Sequence, residues 1–159
     1  MAFLISDLEQ KVRELLFQGL DKQQVYERLV TYDNRDELRF LLDNLPAPEP
    51  RRKYLYLNIM LISMLGIITA RKLYSLWGLD TFNIFTLFIL VVPTINIYLM
   101  REIMLFHRTG FQFTAILSAI SLLNAENRGL PEIVFIPIMV GIAAFLYFKL
   151  YPADSMIKE

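Results

Sequence analysis

The chain of 159 residues contains no cysteine and only one histidine, His107. The absence of cysteine excludes disulfide bonds, thiolate catalysis and cysteine-ligated zinc. A single histidine would need unusual partners to hold a metal ion, because the common zinc sites combine several histidines or cysteines. We therefore predict neither a metal site nor a cofactor.

The sequence also lacks the short motifs that mark the common enzyme classes. It contains no G-x-S-x-G nucleophile elbow, no H-E-x-x-H and no P-loop. We therefore predict no catalytic residues and a chain that is not an enzyme. An enzymatic alternative would use Glu102, His107 and Glu126 on a lipid or isoprenoid substrate.

Charge is divided unevenly between the two parts of the chain. Residues 1–50 contain six Lys and Arg against ten Asp and Glu, a sum of −4, whereas residues 51–159 contain ten against six, a sum of +4. Nucleic-acid binding depends on Lys and Arg that release phosphate counterions. An acidic N-terminal part therefore argues against a nucleic-acid partner.

Long uncharged stretches follow this acidic part. The most pronounced is Phe82–Met100, whose 19 residues carry no formal charge, close to the roughly 20 needed for a helix to cross a bilayer. Tyr54–Ala70 and Ile133–Phe148 form two further candidate spans, and Phe111–Leu123 is the weakest. We predict an all-α protein with a four-helix transmembrane bundle over residues 54–151, in which the third span either crosses the membrane or is re-entrant.

Residues 1–45 have the pattern of a small cytosolic head of three short helices. Ser6 with Glu9 and Asp21 with Gln24 have the spacing of helix-capping pairs. A module of this size is marginally stable alone, so we expect it to dock on a partner or a second copy. The predicted docking residues are Leu38, Leu41 and Leu42.

A proline-rich and basic linker, residues 46–53, joins the head to the first span. Pro46, Pro48 and Pro50 alternate with other residues, which favours an extended spacer of about 15 Å. With four spans, seven Lys and Arg flank the membrane on the side of the head and three on the other side. This bias predicts a cytoplasmic N-terminus. We expect the membrane to be a bacterial inner membrane, and residues 152–159 to form a short C-terminal tail.

Two groups of residues within the membrane part are candidate contact sites. Small residues let helix backbones approach closely, and those predicted to pack helices, within the chain or against a partner, are Gly66, Ala70, Ala115, Ala119, Gly141 and Ala144. Polar residues predicted to line a pathway or contact a partner are Asn96, Arg101, Glu102, His107, Arg108, Glu126 and Arg128. For each polar group a purely structural role is the alternative, as a kinked helix, an interfacial linker or a solvated turn.

These patterns lead to two functional hypotheses. In the first, the protein is a non-enzymatic accessory or scaffold subunit of an inner-membrane complex. Its head docks a cytosolic partner, and its spans pack in the lipid bilayer against other membrane subunits or against further copies. In the second, it is a small homo-oligomeric channel or transporter lined by the second span.

Overall fold

A computed structural model describes residues 6–76, 84–124 and 129–152. All the regular secondary structure in these residues is helical, which confirms the all-α prediction. In chain order the helices are α1 (Asp7–Phe17), α2 (Lys22–Leu29), α3 (Arg35–Asn44), α4 (Pro48–Lys53), α5 (Leu55–Leu76), α6 (Ile84–Met104), α7 (Arg108–Ser121) and α8 (Glu132–Leu150).

The first three helices form the head around a small apolar core of Val12, Leu16, Val25, Leu38, Leu42 and Leu45. Ser6 caps α1 by accepting a hydrogen bond from the Glu9 N–H at 3.2 Å. Helix α1 ends in a Schellman turn, because Gly19 adopts a φ of 91° and the Leu20 N–H donates to the Leu15 carbonyl. Asp21 and Gln24 form a reciprocal capping box at the start of α2.

The extended spacer predicted for the three prolines is wrong from Pro48 onward, because Pro48–Lys53 forms α4. Pro48 and Pro50 fall in the first turn of this helix, where backbone N–H groups have no partner within the helix and a proline therefore loses no hydrogen bond. The head also lies directly against the following helices, since α3 contacts α7 and α4 contacts both α5 and α8. The linker therefore folds the head onto the bundle and does not hold it at a distance.

Helices α5 to α8 form an antiparallel bundle with four contacting pairs: α5 with α6, α6 with α7, α7 with α8 and α8 with α5. The ends nearest the head are the N-termini of α5 and α7 and the C-termini of α6 and α8. At these ends the bundle core is closed by fully buried side chains, among them Leu61, Ile103, Phe111 and Leu146.

Two helical segments among the described residues, Leu55–Ser75 and Glu132–Leu150, are long and apolar enough to cross a membrane. Length and composition alone give weak support for membrane association. Helix α7 has 14 residues and is therefore about 21 Å long, shorter than the roughly 30 Å of a bilayer core. The four-span topology, the inner membrane and the orientation remain predictions.

The small residues predicted to pack helices lie in different surroundings. Gly66 faces α6, where an added Cβ would lie 3.7 Å from Sδ of Met100. Ala115 packs against the bundle core and Ala144 is half-buried. The remaining three, Ala70, Ala119 and Gly141, are exposed, and a partner helix against them remains a prediction.

Candidate functional site

The turn between α6 and α7 places a group of charged side chains beneath the head. Phe106 occupies the left-handed region with a φ of 56°, a conformation that costs a non-glycine residue about 1–2 kcal/mol. Its ring is buried and lies under the Arg51 guanidinium, 4.9 Å from the ring centroid. Its carbonyl accepts a hydrogen bond from the Tyr151 hydroxyl at 2.6 Å. These contacts hold the turn, and His107 follows it directly.

Gly110 allows the two helices to meet closely at this turn. A Cβ added at Gly110 would lie 2.8 Å from Cβ of Glu102 and 2.9 Å from the Ile103 nitrogen. No side chain fits at this distance unless the backbone moves. The first turn of α7 therefore lies directly against the last turn of α6, and His107 comes within hydrogen-bond distance of Glu102.

His107 lies between two buried carboxylates, one from each part of the protein. Its Nδ1 is 2.7 Å from Oε2 of Glu102, and its Nε2 is 3.0 Å from Oε1 of Glu9 in the head. The side chains of all three residues are 7–8% exposed. Nη2 of Arg13 also lies 3.1 Å from Nε2. The two carboxylates favour the charged form of His107, because only the protonated imidazolium carries an N–H on both ring nitrogens.

Two arginines complete this group. Arg13 donates from Nε and Nη2 to Oε1 of Glu9, at 2.8 and 2.6 Å, and from Nη2 to the Leu105 carbonyl at 2.9 Å. Arg101 Nη1 lies 2.5 Å from Oε1 of Glu102. We call Glu9, Arg13, Arg101, Glu102 and His107 the junction cluster, because it joins α1 of the head to the turn between α6 and α7.

The pKa values in the junction cluster shift in the directions that stabilise its charges. Burial alone would lower the pKa of His107, but the hydrogen bonds from His107 to Glu102 and Glu9 outweigh burial and raise it. Burial alone would raise the pKa of Glu9, but its hydrogen bonds with His107 and Arg13 lower it. The pKa of Glu102 is lowered against burial in the same way, by His107 and Arg101. Each of the three shifts therefore favours the charged form of its group.

The geometry makes the junction cluster suited to holding the head in place. Both ring nitrogens of His107 and both carboxylates already have protein partners. Within the described ranges, no group of three or more His, Asp or Glu side chains is arranged to hold a metal ion. Breaking one partner of a buried ion pair leaves a charge uncompensated, so the cluster opposes separation of the head from the bundle.

Comparison of the chain with protein-family models, with curated proteins and with solved structures finds no match.

A second polar region lies in the half of the bundle away from the head. Helices α5 to α8 line a cavity of about 300 Å³ with mostly apolar walls that is open on one side. Asn96 lines it and donates from Nδ2 to Oγ1 of Thr69 at 3.0 Å, which ties α6 to α5. Near the same end of the bundle, Arg71 donates to Oε2 of Glu132 at 2.6 Å.

The structure separates the polar residues predicted from the sequence into three groups. Arg101, Glu102 and His107 come together in the junction cluster, while Asn96 lies in the distant cavity. Arg108 points toward α8, where Nη2 donates to the Tyr147 hydroxyl at 2.7 Å. The two remaining residues, Glu126 and Arg128, lie outside the described residues.

The leucines predicted to dock a partner have different exposures. Leu38 and Leu42 are fully buried in the head core, whereas Leu41 is half-buried. The exposed apolar side chain on α3 is Phe40, which is 59% exposed. Phe40 lies in a cleft of about 450 Å³ between α3 and α7, lined by Asp36, Arg39, Phe40, Asp43, Asn44, Arg108, Thr109 and Gln112. We refer to it as the α3–α7 cleft.

Sequence reasoning missed Glu9 and Arg13 as site residues. Their i, i+4 spacing is typical of an exposed helical ion pair, and the spacing of Ser6 and Glu9 predicts a capping role for Glu9. Only the Ser6 half of that cap forms, because the Glu9 carboxylate turns instead to Arg13 and His107. The available signal was that both residues border the apolar stripe formed by Val12 and Leu16, where a charged side chain has to find a buried partner.

Proposed function

We propose that this protein is a non-enzymatic accessory or scaffold subunit of a membrane protein complex, in which the head docks a cytosolic partner. Its location is the bacterial inner membrane, with several spans and a cytoplasmic N-terminus. Two long apolar helices support the membrane location, and the junction cluster supports a head that is fixed in orientation. The observation that carries the proposal is the exposed Phe40 in the α3–α7 cleft.

The α3–α7 cleft has the composition of a protein-docking surface. An aromatic ring that is partly exposed and surrounded by polar side chains is typical of the central residue of an interface. Charges of both signs surround Phe40, with Asp36 and Asp43 on α3 and Arg39 and Arg108 beside them. Because the cleft uses α3 of the head and α7 of the bundle, it exists only while the head is docked.

The proposal is tested by measuring the native mass and subunit composition of the tagged full-length protein after gentle extraction from its own membrane. We expect a second polypeptide at fixed stoichiometry, and we expect Phe40→Glu to release it. Tyr32→Glu is the matched control, because Tyr32 is fully exposed on the head and lies outside the α3–α7 cleft. Substitution of Leu38 or Leu42 is a poorer test, since both side chains form the head core.

Retention of the second polypeptide by Phe40→Glu would contradict docking at the α3–α7 cleft.

A homo-oligomer with no second polypeptide would favour the alternative function, a channel or transporter lined by the second span. Asn96 in the cavity supports this alternative. A path through one chain would, however, have to cross the fully buried layer of Leu61, Ile103, Phe111 and Leu146. The route would therefore lie between copies, and Asn96→Leu should change flux without changing assembly.

A further inference from the structure

The cavity between α5, α6, α7 and α8 has the size and composition of a small ligand site. Its volume of about 300 Å³ lies at the lower end of the range of about 300–1,000 Å³ found for ligand pockets. Apolar side chains from all four helices form most of its wall: Leu65, Ile68, Leu99, Leu117, Ile136 and Met139. Such a wall favours an apolar chain or ring.

Ser118 gives this cavity a polar group that has no use within the protein. The residue is 8% exposed and lines the cavity. Its backbone carbonyl accepts from the Ser121 hydroxyl, but within the part of the chain that the structure describes its own hydroxyl has no hydrogen-bond partner. The hydroxyl faces the cavity, so a polar group inside the cavity can gain a hydrogen bond from it.

Asn96 supplies a second polar group from the neighbouring helix α6. Its Nδ2 donates a hydrogen bond to Oγ1 of Thr69, while its side-chain carbonyl has no partner among the described residues. Ser118 can both donate and accept, and the Asn96 carbonyl accepts only. A hydroxyl group satisfies this pair, because it also donates and accepts. A carboxylate or phosphate would instead place negative charge near an amide oxygen.

The cavity also has side chains that reach the outer surface of the bundle. Val92 and Ile95 on α6 and Ile120 on α7 line the cavity, and all three are exposed. The gap between α6 and α7 therefore connects the cavity with the surface that the bilayer covers in the proposed membrane location. An acyl chain leaving through this gap would remain in an apolar environment.

We propose that this cavity binds a single-chain lipid with an uncharged, hydroxyl-bearing head group. The head group lies between Ser118 and Asn96, and the chain passes between α6 and α7 into the bilayer. Lys72 lines the same cavity but takes part in other interactions, so an anionic head group is an outcome that the test must distinguish. The inference rests on the proposed membrane location and does not depend on a protein partner.

The test uses the full-length protein in phosphatidylcholine nanodiscs and a monoacylglycerol with a photoreactive diazirine in its chain. We expect saturable labelling that maps to α6 and α7 and is competed by monopalmitoylglycerol more strongly than by palmitate. Ser118→Leu fills the cavity and should abolish this labelling. Ser118→Ala removes one hydrogen bond and should weaken apparent affinity about tenfold. Ser63→Leu is the control, because Ser63 is exposed on α5 and lies outside the cavity.

Equal labelling of the wild type and Ser118→Leu would overturn the proposal, as would labelling that no competitor reduces. Stronger competition by palmitate would overturn the uncharged head group and assign the site to an anion near Lys72. The thermal unfolding midpoint of each variant shows whether it is folded, and Ser118→Ala provides the test if Ser118→Leu is not. Recovery of the native protein in the soluble fraction after carbonate extraction would instead contradict the membrane location.

Discussion

Glu9 and His107 are separated by 98 positions in the chain, yet Oε1 of Glu9 lies 3.0 Å from Nε2 of His107. Glu9 belongs to the head and His107 to the turn between two bundle helices. On the other side of the same imidazole, Nδ1 lies 2.7 Å from Oε2 of Glu102. One ring thus connects two parts of the protein that the sequence suggests are separated by a spacer, and we expect its charge to affect how strongly the head is docked.

The first prediction concerns the energetic coupling of this pair. We expect His107→Ala to destabilise the docked head by about 3 kcal/mol, because Glu9 and Glu102 lose a partner while remaining buried. In a double-mutant cycle with Glu9→Gln, the two effects should be non-additive by at least about 0.5 kcal/mol. Hydrogen exchange of the α1 amides measures the docking free energy. Glu14→Gln is the control, since Glu14 is exposed on the same helix.

Additive effects of Glu9→Gln and His107→Ala would contradict a direct interaction between these residues. A loss of α1 protection in Glu14→Gln as large as that in Glu9→Gln would show that any charge change on α1 destabilises the head. Either result would remove the junction cluster as the cause of head docking.

The second prediction concerns pH. The pKa of His107 is raised above its ordinary 6.5, because hydrogen bonds to the two carboxylates outweigh burial. Its contribution to stability is therefore complete below pH 6.5 and is lost as pH rises through the raised pKa. The pKa values of Glu9 and Glu102 are lowered below 4.5, so their contribution is present above pH 4.5 and is lost as pH falls through the lowered values. Docking should be strongest between these limits.

The measurement is α1 hydrogen exchange, corrected for the intrinsic pH dependence, from pH 5 to pH 9 in the wild type and in His107→Gln. The comparison separates the effect of His107 from that of Lys22. Burial lowers the pKa of Lys22 to about 8, so the contribution of Lys22 to stability changes with pH in the opposite direction. We expect the wild type to lose docking free energy relative to the variant as pH rises. A difference that stays constant over this range would contradict a charged His107.

Much of the helical pattern could be predicted from the sequence, because local signals determine it. The Asp21 capping box, the end of α1 at Gly19 and the apolar stripe of Val12 and Leu16 depend on residues within one or two turns. The extended spacer predicted from the three prolines is wrong from Pro48 onward, because the effect of a proline depends on its position in a helix. Pro48 and Pro50 lie in a first turn, where a proline N–H is not needed.

The candidate site depends on contacts that no local pattern encodes. Glu102 and His107 form a conspicuous polar group in the sequence, but their partners Glu9 and Arg13 come from the other end of the chain. Gly110 was also not identified, because its importance comes from the approach of two backbones and not from a turn or a helix end. Long-range pairing of this kind needs the tertiary arrangement.

The third prediction uses this close approach. We expect Gly110→Ala to destabilise the bundle by about 1–3 kcal/mol, because the new methyl group would overlap the Glu102 and Ile103 backbone and force the helices apart. Gly141→Ala is the matched control, since nothing lies within 4 Å of a Cβ at this position in α8. It should be neutral or stabilising by up to about 1 kcal/mol from helix propensity. Thermal unfolding in nanodiscs compares the two variants.

Equal stability of Gly110→Ala and the wild type would show that α6 and α7 do not meet as closely as this distance requires. A similar loss in Gly141→Ala would indicate instead that alanine at either glycine disturbs packing with a partner helix, as the sequence prediction for Gly141 implies.

The last prediction concerns a cap that the head provides to the bundle. His107 precedes α7 without capping it through its side chain, and the Thr109 N–H donates instead to Oδ1 of Asn44 at 3.0 Å. Asn44 is the last residue of α3, so undocking the head leaves this N–H without its protein partner. We expect Asn44→Ala to cost about 1 kcal/mol and Asn44→Asp to retain most of the stability, because a carboxylate accepts the same bond and favours a helix N-terminus.

Hydrogen exchange at the Thr109 amide reports the cap directly. Exchange should accelerate in Asn44→Ala and also in His107→Ala, in which the head is loosened at another point. Unchanged exchange in His107→Ala, together with faster exchange in Asn44→Ala, would mean that the α3–α7 contact persists without the junction cluster, and the two contacts would then hold the head independently.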